Sequence, residues 1–229
     1  MREIILDTET TGLSPLTGDR LVEIGCTELI NHLPSGKTYH VYLNPERDMP
    51  KEAQAVHGLS AEFLKDKPVF KTIAQEFLDF IGDAPLIIHN ASFDMGFINA
   101  ELSTLGLPAV QNERVIDTLQ MARRTHPMGP NSLDALCRRY GIDLSKRIKH
   151  GALLDAELLA EVYLELIGGR QTALILQSAI QPSNFASDAW HPVIKVRSRP
   201  LLSRLTEAET SLHEACVLEL GQKAIWNIG

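Results

Sequence analysis

The chain has 229 residues, of which 44% are apolar and 22% are charged, as is usual for one well-buried domain with an appendage. The formal net charge of −7 argues against nucleic-acid binding through a general positive field. No apolar run approaches the ~20 residues of a membrane helix, and no basic-then-apolar signal region begins the chain, so we expect a cytoplasmic protein without a membrane partner.

The first third of the chain predicts a sheet. Residues 2–6 are apolar and β-branched, which indicates a buried strand, and residues 20–30 and 37–43 indicate two more strands. Turn-forming residues lie between the second and third strands, at Asn31, Pro34 and Gly36. We therefore expect these strands to form an antiparallel meander.

Helices and strands alternate after the meander. Short helical turns are predicted at 53–58 and 60–64, and the 3.6-residue apolar period predicts a helix at 69–81. Beyond it we expect strands at 85–89 and 114–117, and helices at 92–105, 118–124, 132–140 and 152–167. This order predicts an α/β fold in which a mixed sheet carries helices on its faces.

The composition changes near residue 177. The following residues, as far as 192, are rich in Ser, Asn, Gln and Pro and have no sustained period, which is typical of a linker. Residues 193–196 predict a strand and residues 206–220 a helix. We expect a main domain at 1–170, a linker at 171–192 and a small C-terminal tail at 193–229.

Three acidic motifs coincide with ends of predicted elements. Asp7 and Glu9 follow the first strand in DTETTG, Asp94 lies in HNASFD, and Asp155 begins the last long helix in HGALLD. The helical period turns Asp94 and Asp155 to apolar helix faces, and alternation along an extended strand turns Asp7 and Glu9 to one side. A carboxylate among apolar residues is a paired core charge or a metal ligand, and three such motifs together favour metal ligation.

Neighbouring carboxylates repel each other and are costly to desolvate unless a cation neutralises them. A site built from oxygen ligands suits Mg²⁺ or Mn²⁺, and two ions ~3.5–4 Å apart clamp the attacking and leaving oxygens of a phosphodiester. The sequence therefore predicts two divalent metal ions held by Asp7, Glu9, Asp94 and Asp155. It also predicts metal-assisted hydrolysis.

His150 precedes Asp155 by five residues, which at 100° per residue takes it off the Asp155 face and into the loop before the helix. An imidazole with a pKa near neutrality is suited to accept a proton from the attacking water. A plain exposed loop histidine is the alternative. The basic segment that leads to it, from Arg138 to Lys149, is either a contact for a nucleic-acid backbone or a solvated loop.

Other chemistry-bearing residues have structural interpretations. The cysteines Cys26, Cys137 and Cys216 are far apart and form no CxxC pair, which disfavours zinc or disulfides and favours reduced, half-buried thiols. We expect Asp117 to cap a helix, and Asp134 to interact with a helix dipole from the first turn.

The three motifs resemble those of the DEDD exonuclease superfamily, in the branch with histidine in the third motif. Connecting stretches such as GDRLVEIGCTEL, AVHGLSAEFLKDKP and NSLDALCRRYGID are similar to those of the proofreading (epsilon) subunits of bacterial DNA polymerase III. The resemblance is close over about residues 2–176. It implies a ribonuclease H-like fold and 3′→5′ hydrolysis of DNA with release of nucleoside 5′-monophosphates.

The resemblance also implies roles for individual residues. It makes the four acids metal ligands and His150 the general base. It places contacts with the terminal nucleotide at seven further positions: Thr10, Thr11, Gly12, Leu13, His57, Asn90 and Phe93.

The segment that begins at Gln171 and includes Leu174 and Leu176 resembles a clamp-binding peptide, although a helix-end apolar run packing on its own domain is the alternative. The tail resembles a segment that binds the polymerase III alpha subunit. The partners implied are thus a DNA 3′ end, the alpha subunit and, more weakly, the sliding clamp, with room for a small accessory subunit.

Two other functions are compatible with these motifs. An RNA 3′-end trimming exonuclease uses the same chemistry, but it has no need for the linker and tail. A non-catalytic scaffold between polymerase and clamp has no need for the complete set of four acids and one histidine.

Overall fold

A computed structural model describes residues 1–145, 147, 149–168 and 206–221. These residues belong to two units, which are treated separately. The first, up to residue 168, contains five strands: β1 (Arg2–Thr10), β2 (Leu21–Ile30), β3 (Leu33–Tyr42), β4 (Leu86–Ile88) and β5 (Val115–Asp117). They form one sheet in the order β3-β2-β1-β4-β5.

The sheet is mixed. β1 pairs with β2 and β2 with β3 in antiparallel fashion, whereas β4 is parallel to both β1 and β5. The predicted α/β fold, with an antiparallel three-strand meander joined to parallel strands, is confirmed.

Seven helices of the first unit surround this sheet: α1 (Lys51–His57), α2 (Ala61–Leu64), α3 (Phe70–Ile81), α4 (Ala91–Thr104), α5 (Thr118–Thr125), α6 (Leu133–Tyr140) and α7 (Ala152–Leu166). Each of them lies within a few residues of its predicted position. A short 3-10 helix at Pro15–Thr17 was not predicted.

Two features of the meander differ from the prediction. β1 continues through Thr10, because its pairing with β2 extends past the apolar run. The turn between β2 and β3 consists of Asn31 and His32, both with left-handed φ (52° and 68°), as a two-residue hairpin requires. Pro34 therefore lies in β3, an edge strand, where its missing N–H is tolerated.

The sheet separates two apolar cores. Ile4 and Leu6 of β1 face α3 and α4 in the first core, whereas Ile5 faces α5, α6 and α7 in the second. Strand alternation thus sends odd-numbered residues of β1, including Asp7 and Glu9, towards the α7 side.

The three cysteines are free thiols, as expected. The prediction that they are half-buried was wrong, because Cys26 and Cys137 are completely buried in the two cores and Cys216 is exposed.

The second unit is described for residues 206–221 only, and contains α8 (Glu207–Leu220), which confirms the predicted helix. Thr206 and Glu209 form a capping box at its start. The predicted linker and the predicted strand at 193–196 lie outside the described residues. In the part of the chain that the structure describes, no helix has the length and apolar character needed to cross a membrane.

Gly25 of β2 allows the start of α7 to approach the sheet. It pairs with Asp7, and a Cβ atom on it would lie 2.2 Å from the backbone carbonyl carbon of Ala152 and the backbone nitrogen of Leu153. Backbone cannot move aside as a flexible side chain can. The absence of a side chain at Gly25 therefore brings the first turn of α7, and Asp155 with it, close to β1.

We expect Gly25→Ala to destabilise the fold by about 1–3 kcal/mol, the usual cost of overpacking, and to weaken Mn²⁺ binding by displacing α7. Denaturant unfolding and Mn²⁺ titration would measure the two effects. Gly36→Ala is a control for the loss of a glycine from the neighbouring strand, since a Cβ atom there meets nothing within 4 Å, although its φ of 87° adds local strain. Normal Mn²⁺ affinity in a folded Gly25→Ala protein would contradict this role.

Candidate active site

The first motif lies at the C-terminal end of β1, beyond Ile4 and Ile5, which pair with β4. Asp7 and Glu9 stand on the same side of β1, opposite Gly25 and Glu23 of β2. Thr8 points to the other side, and its hydroxyl donates a hydrogen bond of 2.7 Å to Oδ1 of Asp94. Both faces of one strand end therefore contribute to the site.

Asp94 lies in the first turn of α4, immediately after β4, and is 3% exposed. The neighbouring apolar positions on its helix face, Phe97 and Ile98, are completely or almost completely buried. The predicted orientation of Asp94 towards the apolar side of its helix is confirmed by this burial.

The third motif contributes from the start of α7. Asp155, in its first turn, is 3% exposed, and His150 lies in the preceding loop, as predicted. The loop docks on α1 through a 3.4 Å hydrogen bond that the backbone N–H of His150 donates to the carbonyl of Val56. Nδ1 of His150 lies 3.2 Å from Oδ2 of Asp155. A continuous helix would place these two side chains on different faces, and the loop conformation brings them together.

The residues predicted to be catalytic line one cleft of about 740 Å³: Asp7, Glu9, Asp94, His150 and Asp155. One ligand atom from each of Glu9, His150 and Asp155 lies within 4.8 Å of the others. Donors at this separation suit a hard divalent cation, and the group brings together two of the four predicted ligands, Glu9 and Asp155, with His150 in place of Asp7 and Asp94.

The carboxyl groups strongly perturb one another. Burial, followed by the charges of Asp94, Glu9 and Asp155, raises the pKa of Asp7 well above its usual value. Burial and then the charge of Asp155 raise the pKa of Glu9 to about 8, and burial raises the pKa of Asp94 to about 7. Raised pKa values favour the protonated carboxyl groups, and a bound divalent cation would favour their ionised forms instead.

Asp155 differs from the other three acids. Burial favours its neutral form, but the hydrogen bonds and the electrostatic attraction of Arg147 and His150 together outweigh burial and hold its pKa below the usual value. Nε of Arg147 lies 2.5 Å from Oδ1 of Asp155, and Nη2 lies 2.7 Å from Oδ2.

Sequence reasoning missed this role of Arg147. Its basic segment was interpreted as a nucleic-acid contact or a solvated loop, whereas the Arg147 side chain is 7% exposed and bound to a buried acid. The available signal was weak: one arginine eight residues before an inward-facing aspartate.

A second pocket, of about 440 Å³, adjoins the cleft, and both are lined by Thr8, Glu9 and Phe93. Its wall contains six of the seven residues expected to contact the terminal nucleotide: Thr10, Thr11, Gly12, Leu13, His57 and Phe93. Asn90 lines the cleft with the acids instead. Burial lowers the pKa of His57, which favours the neutral form of its ring.

Asp117 caps α5, as predicted, by accepting a 2.9 Å hydrogen bond from the backbone N–H of Leu119. Asp134 does lie in the first turn of α6, but its carboxylate also accepts a hydrogen bond from Arg147. The predicted clamp-binding residues Gln171, Leu174 and Leu176 lie outside the described residues.

The fold and the cleft together define a class of protein: a metal-dependent exonuclease of the DEDD type. Comparison with known proteins agrees, because residues 4–163 match the RNase T exonuclease family. The structure of "Exonuclease X in complex with 5′ overhanging duplex DNA" superimposes with a TM-score of 0.57 at 25% identity, covering 72% of this chain and 90% of that chain.

Two sequence relatives are more similar to this chain. DNA polymerase III subunit epsilon of Rickettsia felis is 49% identical over 218 residues, covering 93% of this chain and 94% of the relative. The subunit of the same name from Rickettsia prowazekii is 59% identical over 175 residues, covering 75% and 76% of the two chains. The chain belongs to the epsilon subunits of DNA polymerase III, and is a 3′–5′ exonuclease.

Proposed function

We propose that this protein removes nucleotides one at a time from single-stranded or mispaired DNA 3′ ends, as the proofreading subunit of a replicative polymerase. The observation that carries the proposal is the convergence of four carboxylates and one imidazole on a cleft beside a nucleotide-sized pocket. The products are nucleoside 5′-monophosphates.

The acids form the metal site in this proposal. Asp7, Glu9, Asp94 and Asp155 hold two Mg²⁺ or Mn²⁺ ions, and the raised pKa values of the first three reflect the cost of gathering these groups without a cation. Bound ions lower the pKa of the attacking water and stabilise the charge that develops on the leaving 3′ oxygen.

His150 acts as the general base. Because Nδ1 donates its proton towards Oδ2 of Asp155, the other ring nitrogen, Nε2, carries the lone pair that accepts the proton from water. The side chain is about half exposed, so solvent can remove the proton after each turnover.

The adjoining pocket holds the terminal nucleotide. Its wall combines polar groups from Thr10 and Thr11 with the exposed apolar side chain of Leu13, which suits a sugar and a base. A mispaired end costs less to unpair than a matched one, and we infer that this difference supplies most of the selectivity.

Membership in the family supports a proposal about partners. We propose that the protein works in the cytoplasm with the polymerase III alpha subunit and, more weakly, the sliding clamp. A tether between the nuclease and the polymerase would raise the effective concentration of the nuclease near a frayed end to roughly millimolar.

The test is release of mononucleotides from a DNA primer with a 3′ mismatch, in Mg²⁺, with and without chelator. We expect mononucleotides as the product, faster release from the mismatched than from the matched primer, and no release in chelator. An RNA oligonucleotide of the same sequence provides the comparison, and faster hydrolysis of the RNA would favour the RNA-trimming alternative.

A further inference from the structure

Arg147 engages both oxygens of one predicted metal ligand. Its Nε and Nη2 lie 2.5 and 2.7 Å from Oδ1 and Oδ2 of Asp155, and the two side chains are 7% and 4% exposed. This is a two-pronged guanidinium–carboxylate pair, the strongest common form of charge-assisted hydrogen bond.

The same guanidinium has two further partners. Nη1 donates to Oδ1 of Asp134 in the first turn of α6, and Nη2 lies 2.8 Å from Nδ1 of His150. A single side chain thus connects α6, the third-motif loop and α7.

A divalent cation and Arg147 would bind the same carboxylate oxygens. An ion held by Asp155 needs at least one of the two oxygens that accept hydrogen bonds from the guanidinium. An ion at that oxygen would also lie within a few ångströms of a fixed positive charge in a largely buried site, where repulsion is poorly screened. Arg147 stays charged, because its hydrogen bond to Asp155 raises its pKa further above the usual value.

We propose that Arg147 is a positioning residue that competes with the divalent ion for Asp155. When an ion binds, the guanidinium releases Asp155 and stays with Asp134. Asp134 can retain the released guanidinium, because it already accepts a hydrogen bond from Arg147. Its side chain is 41% exposed, so solvent also stabilises the Arg147–Asp134 ion pair. The proposal rests on the metal-dependent nuclease proposed above and adds a control on metal affinity.

The test is calorimetric titration of Mn²⁺ into the full-length chain, with Arg147→Met and Arg147→Lys compared with the wild type. We expect Arg147→Met to bind Mn²⁺ roughly tenfold more tightly, since about 1.4 kcal/mol of competing hydrogen bonds to a charged group is lost. Its melting temperature in chelator should fall, because the acids lose their internal cation. If Arg147 had a purely structural role, its replacement would lower both the Mn²⁺ affinity and the melting temperature.

Arg147→Lys separates competition from simple charge repulsion. Lysine keeps the charge but cannot make two parallel bonds to one carboxylate. Competition therefore predicts tighter Mn²⁺ binding in this variant too, whereas a field effect predicts the wild-type affinity. Arg123→Met, which removes a positive charge from the wall of the same cleft, is the matched control and should change the affinity less than Arg147→Met does.

A double-mutant cycle tests whether Asp134 retains the guanidinium of Arg147 when the ion binds. We expect Asp134→Asn to weaken Mn²⁺ binding in the wild type but not in the Arg147→Met background, because Asp134 acts through the guanidinium. An equal effect of Asp134→Asn in both backgrounds, or an Mn²⁺ affinity no tighter than that of the wild type in either Arg147→Met or Arg147→Lys, would overturn the proposal. Mn²⁺ binding without DNA hydrolysis would instead refute the proposed function and leave this inference intact.

Discussion

We expect His150→Ala to hydrolyse DNA about 10²–10⁴-fold more slowly than the wild type, the usual contribution of a positioned general base. Mn²⁺ affinity should change little, because four carboxylates remain to hold the ions. The experiment is single-turnover release of the 3′ nucleotide at saturating Mn²⁺, with calorimetric titration of Mn²⁺ into the same preparation.

Comparing the loss of hydrolysis rate with the change in Mn²⁺ affinity decides between two roles for the imidazole of His150. A ligand atom of His150 lies within 4.8 Å of ligand atoms of Glu9 and Asp155, so geometry alone also permits direct metal ligation. A loss of Mn²⁺ affinity as large as the loss of rate would make His150 a ligand and refute the general-base assignment. His213→Ala, in the exposed helix α8, is the matched control and should keep both quantities.

Asp155→Asn should differ from His150→Ala, because its primary defect should be a loss of metal affinity and not of the rate at saturating metal. An amide carries no charge, and we expect Mn²⁺ binding to weaken by more than the roughly 10–100-fold that loss of an outer-shell partner costs. Activity should fall accordingly at low Mn²⁺ and recover partly as the Mn²⁺ concentration rises. Calorimetric titration and initial rates over a range of Mn²⁺ concentrations would measure both effects.

The same substitution affects the folded protein, because Arg147 keeps only Asp134 as an acidic partner. A largely buried guanidinium that loses its carboxylate is destabilising, so the melting temperature in chelator should also fall. Asp79→Asn makes the same chemical change on α3, where the carboxylate accepts a hydrogen bond from Gln75, and should affect neither quantity. Unchanged Mn²⁺ affinity in Asp155→Asn would remove Asp155 from the metal site.

Elements with a strong local signal were predicted well. The apolar period of α3 and the inward phase of Asp94 and Asp155 depend on spacing along one segment, which the sequence contains in full. The β2–β3 turn was misplaced because Pro34 and Gly36 carry turn signals, but strand pairing placed the turn at Asn31 and His32 instead.

The orientation of each acid is therefore a local property, which strand alternation and helical period determine from the sequence alone. The distances between the motifs are not local, because they depend on how segments far apart in the chain pack. Gly25 shows the difference: an isolated glycine in a strand indicates a close backbone approach, but not that the approaching segment is the start of α7, which brings Asp155 to the cleft. Arg147 and Asp134 likewise meet only because the α6–α7 connection folds back on itself, and long-range packing of this kind leaves no periodic trace in the sequence.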